Sequence, residues 1–478
     1  MKIVFAASEA APFIKTGGLG DVAEALPIAL SEYKGNEVLL FLPYYKSIKN
    51  NPSIEVEEVA IFETALSWRR AYIGLYRLKS RKRKFRVYFI DNEQYFAREA
   101  TYGSFDDGER FAFFSKAILE SLVQMGECPD IIHCNDWQTA LVPTFLHAFY
   151  GETLGKAKTV FTIHNIEYQG WADPYFIGDV MGLSSEYESR FMYNGSVNFV
   201  KSAILSCDAL STVSHTYANE LCYPYFAHGL SQIISEHSFK MRGIVNGIDI
   251  AGNDPATDKN LPENYTADSV TEGKAACKAA LQRQLGLPER ADVALVGLVS
   301  RLVGHKGLDI MCAGLDEMMS RDIQFVILGT GEELYEKKFS EAAARYPDKL
   351  SLNLCFNRAL ASQIYAASDI YLMPSKSEPC GISQLLAMHY GTVPVVHETG
   401  GLKDTVIPFN AETGEGLGFT FQSFNREDML DALFRAIDMY ENNKEAFAKV
   451  INNDMTEDFS WEKPAGEYME LYKQIISA

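Results

Sequence analysis

Ile3-Val4-Phe5-Ala6-Ala7 and, a little further on, Lys15-Thr16-Gly17-Gly18-Leu19-Gly20-Asp21-Val22 are the residues that decide the fold. The first run is short, apolar and β-branched, the pattern of a strand buried on both faces. Glu9 and Lys15 interrupt it before a longer apolar region forms, so the N-terminus reads as a first strand and not as a signal peptide. The second run is a glycine loop entering a helix, expected to begin near Gly20. Strand, glycine loop and helix together open a parallel α/β sheet, in which ligands bind beyond the carboxyl ends of the strands. The glycines let the backbone come close to a ligand, the N–H groups of the helix start face an anion, and Lys15 adds a cation.

Working outward, Val38–Leu42, Asp130–His133, Thr159–His164 and Ala209–Val213 read as further buried strands, with amphipathic helices at Glu109–Met125 and Ser189–Ser206. The pattern then restarts with Val293–Val299, Gln324–Leu328, Leu350–Cys355, Ile370–Met373 and Val393–Val396. Between the two series, Asn253 to Thr271 is polar and reads as a linker and loop region. The expected architecture is α/β, two doubly wound Rossmann-like domains facing each other across a cleft. Ala71–Lys79 and Phe85–Ile90 read as strand arms around a basic turn, Ser80-Arg81-Lys82-Arg83-Lys84. That turn is either a solvated edge or a contact for a polyanion.

Composition narrows the function. The 478 residues carry 44 Lys+Arg against 63 Asp+Glu, a net charge of −19, which argues against a nucleic-acid or anionic-membrane partner. No stretch is long and apolar enough to read as a membrane span. The 8 cysteines include no C-x-x-C pair and fit reduced thiols, hence a cytoplasmic location. His133 and Cys134 are ligand types, but without zinc spacing.

The later strand ends carry chemistry of the same kind. Ser300-Arg301-Leu302-Val303-Gly304-His305-Lys306-Gly307 follows a strand and offers two cations suited to a diphosphate. Pro374-Ser375-Lys376-Ser377-Glu378-Pro379-Cys380-Gly381 precedes a helix expected near Ile382, and Glu398-Thr399-Gly400-Gly401-Leu402 presents glycine backbone at another helix start. Gly18-x-Gly20-x-x-Ala23 also matches a variant dinucleotide fingerprint. It lies too far beyond its strand for that motif, and the second strand ends in Leu42-Pro43-Tyr44 with no acid for a ribose, so a nicotinamide cofactor is set aside.

Taken together, these loops resemble the signature set of bacterial glycogen synthases and plant starch synthases, retaining glucosyltransferases of the GT-B fold. His133-Cys134-Asn135-Asp136-Trp137, Phe161-Thr162-Ile163-His164-Asn165, Asn246-Gly247-Ile248-Asp249 and Phe459-Ser460-Trp461 extend the resemblance along the whole chain. It implies transfer of glucose from a nucleotide-sugar donor, ADP-glucose, to the non-reducing 4-OH of an α-1,4-glucan such as glycogen or starch. It also implies domains at 1–246 and 247–458, and a terminal helix within 459–478 that crosses back to the first domain.

Carried onto this sequence, the resemblance makes Glu378, His164 and Lys15 the catalytic candidates. Lys15, Gly18, Arg301, Lys306, Cys380, Gly381, Thr399, Gly400 and Gly401 become the donor-binding set, with cations and not a metal cofactor stabilising the leaving phosphate. Tyr95, Asp136, Trp137, Asn165 and Asn246 become the sugar and acceptor set. For Trp137 a buried anchor is the competing reading, and for Cys380 a packing residue is favoured over a nucleophile. Hinge closure is expected to bring Lys15 and His164 against Arg301, Lys306 and Glu378.

Departures from the family pattern are few. His305 stands where bacterial relatives usually carry Gln, and His397-Glu398 where many carry basic residues. Leu386 occupies the place of a second glutamate found in other GT-B enzymes. No second carboxylate is evident as a nucleophile, which favours a front-face route. Two alternatives stay open, another retaining GT-B transferase with a different acceptor and a non-catalytic glucan-binding protein. Whether the chain forms a homo-oligomer is also left open.

Overall fold

The computed structural model describes residues 1–80 and 83–478. Arg81 and Lys82 of the basic turn lie outside the described residues. The chain divides into two compact units, Met1–Asn246 with Trp461–Ala478, and Gly247–Ser460. Phe459 and Ser460, grouped by sequence with the terminal helix, fall in the second unit, because Phe459 is buried in its core and its carbonyl accepts from Ile248 N at 2.8 Å.

Among the described residues, the large sheet of the first unit has nine strands: β1 (Lys2–Ala6), β2 (Glu37–Pro43), β3 (Val56–Leu66), β4 (Arg69–Leu78), β5 (Arg86–Asp91), β6 (Ile131–Asn135), β7 (Lys158–Ile163), β11 (Ala209–Thr212) and β12 (Met241–Gly243). A small separate sheet holds β8 (Trp171–Ala172), β9 (Met192–Tyr193) and β10 (Ser196–Asn198). The large sheet runs β12-β11-β7-β6-β1-β2-β5-β4-β3 and is parallel from β12 to β5. Among the described residues, the antiparallel pairings of this sheet are β3 with β4 and β4 with β5. β1 sits near the middle with Ile3, Val4, Phe5 and Ala6 fully buried, which is why it reads as a continuous apolar run. From β1 the chain first builds outward through β2 and β5. It then returns to β6 on the other side, so the sheet reverses direction between β1 and β6.

The second unit repeats this logic with six parallel strands in the order β15-β14-β13-β16-β17-β18. They are β13 (Ala294–Val299), β14 (Ile323–Leu328), β15 (Leu350–Asn353), β16 (Ile370–Met373), β17 (Val393–His397) and β18 (Phe419–Phe421). Here the reversal lies between β13 and β16. Loops at such a reversal splay apart and leave a ligand crevice.

Two expectations change. The single helix over Ser189–Ser206 is instead a short helix Glu188–Phe191, the β9–β10 hairpin, and a helix Phe199–Ser206. Asn194-Gly195 turns the hairpin with φ of 51° and 83°, and the Asn198 side chain caps the second helix by accepting from Lys201 N at 2.7 Å. The polar stretch after Asn253 is not a linker but part of the second unit. Within it Tyr265 is buried, donating to Tyr390 O at 2.8 Å, and a helix starts at Val270. The edge strand β3 was not anticipated, since Glu57, Glu58 and Val59 at its outer end break the alternation.

The terminal helix Glu462–Ser477 buries Tyr468, Met469, Leu471 and Tyr472, of which Met469 and Leu471 are each worth about 1.5–3 kcal/mol when fully covered. Tyr472 OH meets His133 Nδ1 at 2.7 Å beneath β6, joining chain segments 339 residues apart within the first unit. Among the described residues no helix is long and apolar enough to cross a membrane.

Candidate active site

In the first unit, the segments after β1, β5, β6, β7 and β12 carry the candidate residues. The helix after β1 runs Gly18–Ser31, slightly earlier than expected. Its N-terminal N–H groups are not all available to a ligand, however. Glu9, 2% exposed, accepts from Thr16 N at 2.7 Å and from Gly17 N and Gly20 N at 3.1 Å each, and takes the Thr16 hydroxyl as well. Sequence reasoning gave Glu9 no part in the site. Lys15 is exposed at the rim of this loop and pairs with Asp21 at 2.7 Å.

The turn after β6 holds Asp136 at φ 55° and ψ 179°, a strained conformation that non-glycine residues rarely adopt. Its Oδ1 accepts from His164 N at 2.7 Å and more distantly from Asn165 N at 3.4 Å. Burial raises its carboxyl to about 7, with the Glu9 charge adding to the rise and the two N–H groups opposing it.

His164 Nε2 lies 2.9 Å from Asn135 Oδ1, and the Asn135 amide nitrogen donates to Ala6 O at 3.0 Å. That orients the amide so that its oxygen faces His164, which assigns the proton to Nε2 and leaves Nδ1 an acceptor. Burial pushes this imidazole down to about 3, so it is neutral at working pH. A neutral acceptor of this kind suits a sugar hydroxyl and not a phosphate.

His133, fully buried between Tyr472 OH and Thr162 Oγ1, is a core residue. Asn165 Oδ1 accepts from its own loop at Glu167 N, 3.0 Å away. Trp137 packs edge-on against Phe111 at 5.1 Å and beside Phe199 at 6.0 Å, so much of the indole serves as an anchor. Tyr95 is 2% exposed and donates to Glu109 Oε1 at 2.7 Å, which fixes it as a buried wall. Asn246 is buried with its Oδ1 lacking a hydrogen-bond partner, a costly state that a bound donor group would relieve.

In the second unit the expected loops converge. Lys306 Nζ donates to Glu378 Oε2 at 2.6 Å, and Ser375 Oγ donates to the same oxygen at 2.9 Å. Arg301 stands exposed on the same loop as Lys306. Backbone contact locks the loops together: Lys376 N donates to His305 O at 2.9 Å and Gly401 N to Glu378 O at 3.1 Å. Gly307 and Gly400 lie so close to neighbouring carbonyls that a Cβ would fall 1.8 Å from Pro374 O and 1.9 Å from Glu378 O, respectively. Both have positive φ, and this combination of tight approach and left-handed backbone is why glycine stands at each.

Cys380 and Thr399 are buried beside this junction, and the helix Ser383–His389 begins one residue past Ile382. Gly381, at φ 76°, lies against the Gln384 amide, which bonds Gly381 O and Thr405 Oγ1. His397 is a strut, facing Ser375 O at 2.8 Å through Nδ1, with burial lowering its pKa. One further loop escaped the sequence reading. Gly329-Thr330-Gly331-Glu332, at the end of β14, braces the cationic loop, with Leu302 N on Thr330 O at 2.9 Å and Gly304 N on Glu332 Oε1 at 3.1 Å. Its signal was a Gly-x-Gly directly after a strand.

The chain is similar to known proteins along its whole length. Residues 2–236 match the family model described as starch synthase catalytic domain, and residues 280–453 match glycosyl transferases group 1. The chain is 47% identical to a glycogen synthase of Exiguobacterium sibiricum, over 99% of each chain. It is 46% identical to one from Clostridium novyi, over 100% of this chain and 99% of that one. Its structure resembles the catalytic domain of starch synthase IV from Arabidopsis thaliana, solved bound to ADP and acarbose, with a TM-score of 0.91, 35% identity, and coverage of 100% and 99%. A sucrose-phosphate synthase from Thermosynechococcus elongatus, 17% identical with a TM-score of 0.61 over 100% and 99% of the two chains, shares the fold alone. The fold is GT-B, with one Rossmann-like sheet in each unit. With nearly half its residues identical to such relatives along its whole length, the chain belongs to the glycogen synthase family and is a glycosyltransferase.

Proposed function

We propose that the chain transfers glucose, with retention of the anomeric configuration, from ADP-glucose to the non-reducing 4-OH of an α-1,4-glucan. The observation that carries this reading is the Lys306–Glu378 pair at 2.6 Å, held with exposed Arg301 on loops at one reversal of a parallel sheet. Arg301 and Lys306 take the donor diphosphate, Lys15 adds its charge and Gly18 supplies backbone, while the turn of Thr399, Gly400 and Gly401, with Thr399 N held by His397 O and Gly401 N by Glu378 O, lines the site and braces the loop of Glu378. The leaving phosphate gains negative charge as the glycosidic bond breaks, so fixed cations stabilise the transition state more than the ground state. In this reading they do so in place of a metal ion. Once the diphosphate draws Lys306 towards it, Glu378 faces the donor glucose and favours oxocarbenium character at the anomeric carbon. Departure and attack on the same face then give retention without a covalent intermediate, the proton of the acceptor 4-OH passing to the departing phosphate oxygen.

In the first unit, neutral His164 accepts from a glucose hydroxyl, while Asn165, Asp136, Tyr95 and Asn246 shape the sugar and acceptor side. The relative solved with ADP and acarbose supports an adenine nucleotide and a glucan-like ligand. The 8 free cysteines are in keeping with a cytoplasmic enzyme.

The test is nucleotide release from ADP-glucose and from UDP-glucose, each with and without glycogen. Glycogen-dependent ADP release is the expected result, and glycogen-dependent UDP release would overturn the donor assignment. Absence of release from both would overturn the reaction. Digestion of the product to α-1,4-linked oligosaccharides checks retention.

A further inference from the structure

Glu9 lies just past β1, and the demands on its carboxylate are unusual. Thr16 N and the Thr16 hydroxyl both donate to Oε2, while Gly17 N and Gly20 N both donate to Oε1. Four donors from one short loop thus converge on two oxygens of a side chain that is 2% exposed. An internal anion there complements the positive end of the Gly18–Ser31 helix. Hydrogen bonds to an ionised acceptor are about twice as strong as neutral ones. The Thr16 N–H belongs to the peptide that joins it to Lys15, so the same clamp orients the backbone from which Lys15 projects.

We propose that Glu9 is the positioning residue of the Lys15–Gly20 loop, a built-in carboxylate that fixes Lys15 and the loop backbone in the conformation donor binding requires. It acts through the loop and touches no substrate. The proposal rests on the reading of Lys15 as a donor-binding residue. A neutral amide cannot replace the carboxylate, because its nitrogen turns one of the two accepting positions into a donor facing an N–H group.

The test compares the full-length chain with Glu9→Gln, measuring KM for ADP-glucose, KM for glycogen, kcat, and amide hydrogen exchange across residues 15–20. The expected result is a rise of about tenfold in donor KM, glycogen KM within about twofold of wild type, and faster exchange at Thr16, Gly17 and Gly20. General damage to the fold would move both KM values and exchange throughout the chain. Unchanged exchange in the loop, or faster exchange with an unchanged donor KM, overturns the proposal.

Should Glu9→Gln fail to fold, Thr16→Val decides. It removes one of the four donors at an exposed position and is expected to raise donor KM by about threefold, and an unchanged donor KM again overturns the proposal. A wild-type chain that turns over no nucleotide-sugar at all refutes the donor reading instead, while hydrogen exchange still reports on the clamp.

Discussion

Lys306 Nζ and Glu378 Oε2 stand 2.6 Å apart, brought together from loops 72 residues apart in sequence. The side chains are only 17% and 9% exposed, so each depends on the other for its charge balance. Replacing Glu378 by Gln keeps the shape and the Ser375 contact but removes the carboxylate. Turnover is expected to fall on the order of 10²-fold or more, with ADP affinity kept or improved because Lys306 loses its competitor. Lys306→Ala is expected to weaken both ADP affinity and turnover and to lower the melting temperature, since it strands a buried carboxylate. Calorimetric ADP titration beside steady-state rates checks both, and a Glu378→Gln enzyme of near-normal rate would refute the role given to this pair.

Asp136 titrates at about 7, mainly because it is buried, and its charge therefore changes across the neutral range. An ionised Asp136 is the better acceptor for a sugar hydroxyl, so turnover is expected to rise with pH through about 7. Asp136→Asn keeps an oxygen for His164 N and Asn165 N but cannot ionise, and its rate profile is expected to lose that rise. Profiles of kcat/KM for glycogen between pH 5.5 and 8.5 decide it, on a scale fixed by ordinary carboxyl and histidine values. The same rise in the variant would remove Asp136 from the acceptor site.

His133 and His164, each lowered to about 3 by burial, stay neutral in the fold at a pH where the unfolded chain binds their protons. Their contribution to stability is complete above the unfolded value near 6.5 and is lost as pH falls towards 3, by about 1.4 kcal/mol per pH unit for each ring. Asp136, shifted upward, acts in the opposite sense. Its contribution is complete below its unfolded value and is lost as pH rises through about 7, so it offsets one histidine on the acid side. Thermal melts of His133→Leu are expected to show a lower melting temperature at pH 7.5, because Tyr472 and Thr162 lose their partner. They are also expected to fall less steeply than wild type between about pH 6.5 and 4.5. An equally steep acid loss in the variant would contradict this.

Gly400→Ala places a methyl 1.9 Å from Glu378 O at φ 45°, so the loop bearing Glu378 must move. Turnover is expected to drop at least about tenfold, with a lower melting temperature. Gly178→Ala, whose added methyl meets nothing within 4 Å, serves as the control and is expected to leave both unchanged.

Local pattern carried much of this molecule. Continuous apolar runs marked the parallel strands because strands covered on both faces admit few polar residues. Glycine and cation clusters marked the strand ends because backbone must approach both the next loop and a ligand there. Lys306, Glu378 and Gly400 were legible for that reason, as residue types at strand ends in a doubly wound sheet. The hairpin at Asn194-Gly195 was hidden within an apparently helical stretch, its turn signal outweighed by flanking apolar residues. β3 was missed because its outer end, Glu57 to Val59, is open to solvent and breaks the alternation that holds from Ala60 to Leu66.

Only the tertiary structure decided who meets whom. Sequence supplied Glu9 as an interruption after a strand; folding made it the acceptor for four donors. Trp137 offered an aromatic face on paper, yet Phe111 and Phe199 pack beside it. The order of strands in each sheet, which is not encoded in the periodicity of any one strand, brings the loops after β13 and β16 side by side and lets Lys306 reach Glu378. Periodicity is a local property of a few residues, whereas the pairing of charges depends on sheet order and on burial, and those exist only once the whole unit has folded.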